Sequence, residues 1–245
     1  MNRNKISRIA HADHPIAAPL GDDSVRRLLE RAIPRGDERV LDLGCGGGEW
    51  ILRALATHPR LRAEGVDVSE EALAHARRAA RDLGVQERLV LHEQDAAGFA
   101  SPHSFDLVLN VGAAHVFDGL LPTLEAAGRH LAPGGHVLIG DGFWEREPSP
   151  EAVEMLGDFD DLATTVDRVV ADGWTPVYGH VSTRQELDGY EWAWTGSLAS
   201  WALDNPADPD SPEALAAATA HRSEWLRTYR DSWGFVSLVL RRTSD

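Results

Sequence analysis

The chain is short of several things that would place a protein in a class at once. It holds a single cysteine, Cys45, among 245 residues, which excludes a disulfide framework and fits a reducing compartment. No apolar run reaches the length that a bilayer-spanning helix needs. The opening MNRNKISRIAHADHPIAAPL has no uninterrupted apolar stretch of signal-peptide length. Basic residues are outnumbered, with 24 Lys and Arg against 39 Asp and Glu, for a formal net charge of −15. That balance repels phosphate backbones and anionic headgroups, so it disfavours nucleic acid and membrane partners. There is no internal repeat, and the only biased tract is the short Asp/Pro loop at 204–212. A soluble, cytoplasmic protein is expected, with length for one large α/β domain carrying insertions.

What is present is a regular alternation from about residue 39 to residue 141. ERVLDL reads as a strand, GCGGG as a glycine-rich turn and WILRALATH as a helix. RAEGVDV is a second strand, and SEEALAHARRAARDLG is a helix with Ser69 as N-cap and Gly84 as its stop. RLVLHEQ and FDLVLN are further strands. DGLLPTLEAAGRHLAPGG is a helix ending in a turn, and HVLIGDG is a fifth strand. Strand and helix repeated in this way imply a parallel sheet with right-handed crossovers and helices on both faces. The rest differs. Residues 145–173 read as an acidic linker and one helix, TPVYGHVS as a strand, and TRQELDGYEWAWTGSLASWAL and PEALAAATAHRSEWLRTYR as helices. WGFVSLVLRR closes the chain as an alternating strand of the kind found near a sheet edge.

VLDLGCGGGEW carries most of the chemistry. A glycine-rich turn between a buried strand and a helix lets a ligand approach the backbone at the carboxyl edge of the sheet. The dinucleotide fingerprint GxGxxG wants a small third residue, but Glu49 follows Gly44, Gly46 and Gly48 and would repel a pyrophosphate. The loop therefore suits a ligand without phosphates, and a dehydrogenase is disfavoured. Asp67 ends the second strand and is the expected acceptor for a ribose diol, against an alternative role as a strand-end or capping aspartate. Asp95 follows the third strand, where it can accept from an adenine amino group. The glycine loop, Asp67 and Asp95 thus fall at the ends of three successive strands.

As a set these segments resemble a class I, Rossmann-like S-adenosylmethionine-dependent methyltransferase. VLDLGCGGG is similar to the family's first motif, VDVS to its ribose-binding acidic motif and EQDA to its adenine-side motif. FDLVLNVGAAHVF resembles the fourth motif and LAPGGHVLIGD the fifth-strand motif, so the likeness covers about residues 38–142. It implies an α/β fold, a seven-stranded, mostly parallel, doubly wound sheet whose last two strands, TPVYGHVS and GFVSLVLRR, form an antiparallel edge. The expected divisions are an N-terminal helical lid at 1–36, an S-adenosylmethionine-binding core at 37–142, and a helical substrate-side insertion with the last two strands at 143–245. By position, Gly44, Cys45, Gly46 and Gly48 would line the cofactor and Asp42 would sit near its methionine end. Asp67 and Val68 would meet the ribose, Asp95 and Ala96 the adenine, and Asn110, Val111 and Gly112 would lie beneath the sulfonium. ISRIAHADHPIAAPL is similar to the opening of stand-alone bacterial methyltransferases of small molecules, which would place His11 and His14 in a lid facing the active site.

Asn110 is followed by Val-Gly-Ala, not by the Pro-Pro-aromatic signature seen in family members that methylate exocyclic amines of bases or protein glutamine. With the acidic balance, this favours a small-molecule acceptor, at oxygen first and at nitrogen or carbon next. His115 is open to three readings: a general base for a hydroxyl acceptor, a donor to an anionic one, or a helix-start histidine bonded to backbone. His11, His14 and Asp13 have the look of an HxxH metal pair, but no third ligand cluster stands out and no metal is expected. Tyr190, Trp194 and Trp201 share a helix face, as core packing or as a substrate wall. Asp141, Phe143 and Trp144, just after the fifth strand, are further candidates for contact with the acceptor. The competing class is a non-catalytic S-adenosylmethionine-binding partner protein. A monomer or homodimer is expected.

Overall fold

A computed structural model describes residues 1 and 3–243 of the chain, without the side chains of Arg3 and Asn4. Seven strands and nine α-helices are described. In chain order they are α1 (Arg3–Ala10), α2 (Asp22–Ala32), β1 (Arg39–Leu43), α3 (Glu49–Thr57), β2 (Arg62–Asp67), α4 (Glu70–Asp82) and β3 (Leu89–Glu93). There follow β4 (Phe105–Val111), α5 (Leu120–His130), β5 (Leu131–Trp144), α6 (Pro150–Leu156), α7 (Leu162–Ala171) and β6 (Trp174–Val181). α8 (Arg184–Asp204), α9 (Ser211–Glu224) and β7 (Trp233–Arg242) complete the order. No helix among the described residues is long and apolar enough to cross a membrane.

All seven strands join one sheet in the order β3-β2-β1-β4-β5-β7-β6. β1 pairs in parallel with both β2 and β4, β2 with β3, and β4 with β5, while β6 and β7 are antiparallel. This is the seven-stranded α/β arrangement the motifs imply. β1 and β4 are buried at nearly every position because helices cover both faces, as parallel sheets require.

Three local expectations need correction. WGFVSLVLRR lies beside the edge in an antiparallel pair with β6, as expected, but it does not alternate: β7 sits between β5 and β6 and is buried without a break from Gly234 to Leu240. Its small residues, Gly234 and Ser237, let both faces be covered. The edge on this side of the sheet is β6, whose burial alternates along WTPVYGHV. Second, no turn separates α5 from the fifth strand. β5 starts at Leu131 and takes in LAPGG, with Gly134 at φ 72° and a register shift opposite Phe105 and Leu107. Gly135 permits this, since a Cβ there would stand 3.0 Å from the carbonyl oxygens of Ala132 and Asp106. Third, residues 145–173 hold two helices, α6 and α7; Ser149 caps the first by accepting from the Ala152 amide.

Contacts divide the chain into two compact units. The sheet unit comprises Gly21–Asp141, Ala163–Val181 and Val236–Asp245. The helical unit comprises Met1–Leu20, Gly142–Leu162 and Ser182–Phe235. In the helical unit α1 packs on α8, and α8 on α9, around Ile9, Leu198, Ala202, Ala214 and Ala218. A second cluster joins Trp144, Ala152, Trp225 and Tyr229, the last two on a single π-helical turn, Trp225–Tyr229.

Candidate active site

β1 and β4 are neighbours although the chain leaves β1 towards β2 on the other flank. Open α/β sheets take their ligands at such a reversal, beyond the carboxyl ends of the strands. The glycine loop after Leu43 forms one lip of it. Gly44, Gly46 and Gly48 have φ of 81°, 51° and 76°, values that glycine adopts without strain. Gly44 is also tightly enclosed, since a Cβ there would come within 2.9 Å of the Ala113 Cβ, whereas at Gly46 it would meet nothing within 4 Å. The amides of Gly44 and Cys45 donate to the Val66 carbonyl at 2.9 and 3.0 Å. Gly46 N–H donates to Asp67 Oδ2 at 2.8 Å, Ser69 N–H donates to Asp67 Oδ1 at 2.8 Å, and Gln94 N–H reaches the Asp67 carbonyl at 3.1 Å. Asp67 therefore ties together the ends of β1, β2 and β3. Each of its carboxylate oxygens can still accept a second hydrogen bond.

Two buried oxygens at the reversal have no donor among the described residues. Asp42 is 3 % exposed and its Oδ2 is unpartnered among the described residues. Its carboxyl is pushed up to about 8, by burial first and then by the charge of Asp67. Asn110 is fully buried; its Nδ2 donates to the Leu43 carbonyl at 2.8 Å, stitching β4 to β1, while its Oδ1 has no donor. An unsatisfied buried acceptor costs about 1–3 kcal/mol, so this pair suits a donor-bearing, cationic ligand group. Cys45 is not a nucleophile here. Burial, followed by the charges of Asp42 and Asp67, pushes its thiol well above its ordinary range.

Of the other sequence candidates in this unit, Val68 is 69 % exposed at the end of β2. Asp95 is exposed and uses Oδ1 to accept from the Ala97 amide at 3.0 Å, capping a short 3-10 turn that begins at the buried Ala96. Val111 ends β4, and Gly112 (φ 76°) donates to the Gly140 carbonyl at 3.0 Å. His115 lies exposed on the 3-10 turn Ala114–Phe117 and makes no side-chain hydrogen bond or ion pair with any described residue. The backbone-bonded reading of His115 is therefore not what the structure has. Asp141 is half-buried near the end of β5.

The helical unit holds the remaining candidates. Phe143 is buried against Gly234, where a Cβ would collide with its ring, and Trp144 is buried in the aromatic cluster with Trp225 and Tyr229. Trp194 stacks on His221 at 4.1 Å, and Trp201 lies under the Lys5 ammonium at 4.7 Å; both flank the α1–α8–α9 core. Tyr190 meets the N-terminal segment instead. Its hydroxyl is 3.1 Å from His11 Nε2, and its ring meets His14 edge-on at 5.3 Å. Asp13 accepts from Ser197 Oγ at 2.6 Å, so the HxxH segment is committed to α8. No group of described residues is arranged to hold a metal ion. Sequence reasoning missed Glu191, which is 5 % exposed and bonded to His221 Nε2 at 2.7 Å and Tyr229 Oη at 2.9 Å. Its only local signal is a carboxylate within an otherwise aromatic run.

Comparison with known proteins fits this geometry. A methyltransferase domain model matches residues 40–135. A methyltransferase from Geobacter sulfurreducens, solved in complex with S-adenosyl-L-homocysteine, superposes with a TM-score of 0.88 at 27% identity, over 97% of this chain and 98% of that one. Residues 40–135 form a methyltransferase domain on the class I, Rossmann-like fold, and the chain is an S-adenosylmethionine-dependent methyltransferase. The uncharacterized protein YjhP of Escherichia coli K12 is 28% identical over 98% of this chain and 100% of its own. The 27-O-demethylrifamycin SV methyltransferase of Amycolatopsis mediterranei is 32% identical over 54% of this chain, which spans about half of that enzyme's length (50%). As a methyltransferase of this class the protein uses S-adenosylmethionine. The reversal between β1 and β4 fits that cofactor, because Asp42 Oδ2 and Asn110 Oδ1 are acceptors in need of donors.

Proposed function

We propose that this methyltransferase acts on a small-molecule acceptor, at oxygen in preference to nitrogen or carbon, and that His115 receives the acceptor's proton or anchors its anion. The observation that carries the proposal is the uncommitted His115 imidazole, exposed four residues beyond the end of β4, after Gly112, Ala113 and Ala114. The net charge of −15 and the Val-Gly-Ala sequence after Asn110 favour a small acceptor over nucleic acid or protein glutamine. The similarity to an enzyme named for O-methylation of a rifamycin supports oxygen.

In this reading the chain's residues bind and position. Asp67 accepts from ribose hydroxyls while holding Gly46, Asp95 accepts on the adenine side, and Asp42 accepts from the amino-acid end. Gly44, Gly46 and Gly48 admit the ligand to the backbone, and Val68, Ala96, Val111 and Gly112 line it. S-adenosylmethionine, when bound, supplies a methyl group already activated on a sulfonium. Positioning can then supply about 7–11 kcal/mol of the barrier, and a base is needed only for a protonated acceptor. Asp141, Phe143, Trp144, Tyr190 and Trp194 are proposed to contribute on the acceptor side, and His11 and His14 are weighed below.

The test pairs binding with transfer. Calorimetry with S-adenosylhomocysteine should give equal affinity for the parent protein and His115→Ala. Transfer of labelled methyl to a panel of phenols, carboxylates and amines should occur with the parent and fall at least about a hundredfold in the variant. Full turnover by His115→Ala with an oxygen acceptor, or methylation of amines alone, would reject the proposal.

A further inference from the structure

His11 and His14 stand three residues apart in the helical unit, and the hydrogen bonds around them differ. Each Nδ1 faces a backbone carbonyl, Ser7 at 2.8 Å from His11 and Ile16 at 2.7 Å from His14. A carbonyl only accepts, so each neutral ring carries its hydrogen on Nδ1 and leaves Nε2 as a lone pair. In His11 that lone pair is taken: Tyr190 Oη, at 3.1 Å, donates to it. Both nitrogens of His11 are committed. His14 Nε2 has no hydrogen-bond partner among the described residues.

Tyr190 is well fixed for its part. It lies on α8, whose N-terminus is closed by a reciprocal Thr183–Glu186 capping box. The next residue, Glu191, is held by Tyr229 and His221. Burial, and then the Glu191 charge, pushes the Tyr190 phenol upward, so it remains a neutral donor. The same ring stands edge-on to His14, with an interplanar angle of 89°.

We propose that His14, not His11, is the proton-accepting group of the helical unit, that its ligand is a protic small molecule whose alcohol or phenol O–H donates to His14 Nε2, and that Tyr190 is the positioning residue that occupies His11 and braces His14. The proposal concerns the helical unit alone and goes beyond the role given to His115, and its test does not depend on turnover.

The full-length protein labelled with 15N-histidine is read by long-range proton–nitrogen spectra near neutral pH. His14 should show a hydrogen on Nδ1 and a bare lone pair at Nε2, and phenol, used as the probe, should shift the His14 Nε2 signal and not that of His11. Diethyl pyrocarbonate, which acylates unprotonated imidazole, should modify His14 about tenfold faster than His11, the factor that one hydrogen bond of about 1.4 kcal/mol confers. Tyr190→Phe should raise the His11 rate to that of His14. If that variant fails to fold, the parent protein's two rates and its spectrum decide alone. A hydrogen on His14 Nε2, equal or faster acylation of His11 in the parent, or a phenol response absent from His14 overturns the assignment.

Discussion

The Gly46 amide donates to Asp67 Oδ2 across 2.8 Å, so the carboxylate that ends β2 also closes the glycine loop that follows β1. Removing it should therefore damage binding twice, through the loop and through the proposed ribose contacts. Charge-assisted bonds contribute about 1.5–3 kcal/mol each. Asp67→Ala is expected to weaken S-adenosylhomocysteine binding by at least about a hundredfold in calorimetry and to speed hydrogen exchange at the Gly46 amide. Unchanged affinity would remove the ribose role; unchanged exchange would remove the loop role.

Asp42 should couple binding to pH. Its carboxyl stands at about 8 in the folded chain, against an ordinary 3.8. A raised folded value means that the stability contributed by its protonated form is fully present below the unfolded value and is lost as pH rises through the folded one. The free protein should thus lose on the order of a few kcal/mol between weakly acidic and weakly alkaline pH, and Asp42→Asn should flatten that slope in urea titrations. If a cationic ligand end meets Asp42, as proposed, binding near neutrality ionises the carboxyl and releases a proton. Calorimetry in buffers of different ionisation enthalpy should detect it below pH 8 and find it gone in Asp42→Asn. Proton uptake, or no exchange at all, would place the amino-acid end elsewhere.

The sheet and its glycine loop were legible in the sequence because their signals are local: apolar runs of strand length, a turn only glycine can make, and acids at strand ends. Which of the last two strands lies outermost was not. WGFVSLVL reads as alternating until its neighbours are known, and β5 and β6 come from far upstream. The helical unit was least legible. Tyr190 finds its partner 179 residues away, and Glu191 finds its partners 30 and 38 residues on. No periodicity in α8 encodes such pairings, since apolar and polar residues surround that helix on every side.

Gly44 and Gly46 offer a contrast within one loop. Both have positive φ, which costs an alanine about 1–2 kcal/mol. Only at Gly44 would the new Cβ strike a neighbour, the Ala113 methyl. Gly44→Ala should therefore lower the denaturation midpoint distinctly more than Gly46→Ala, and Ala113→Gly should recover part of the loss in the double variant. Equal losses, or no recovery, would show that backbone strain alone sets the cost.

Glu191 is a buried carboxylate that receives Tyr229 Oη on Oε1 and His221 Nε2 on Oε2. Burial, and then the Glu191 charge, drives the Tyr229 phenol far upward, so it serves as a fixed donor. These two bonds join α8 to α9 and to the π-helical turn that carries Tyr229. Taking one donor away leaves a buried charge under-satisfied, at a cost of about 1.5–3 kcal/mol. Tyr229→Phe is expected to lose about that much in urea unfolding. Adding Glu191→Gln to it should cost less than the two single changes summed, because the neutral amide no longer demands a charge-compensating donor. A coupling energy of at least about 1 kcal/mol in that cycle would establish the Glu191 cluster as the tie across the helical unit. Simple additivity would reduce it to two independent bonds and leave the packing of Ile9, Leu198 and Ala214 to hold α1, α8 and α9 together.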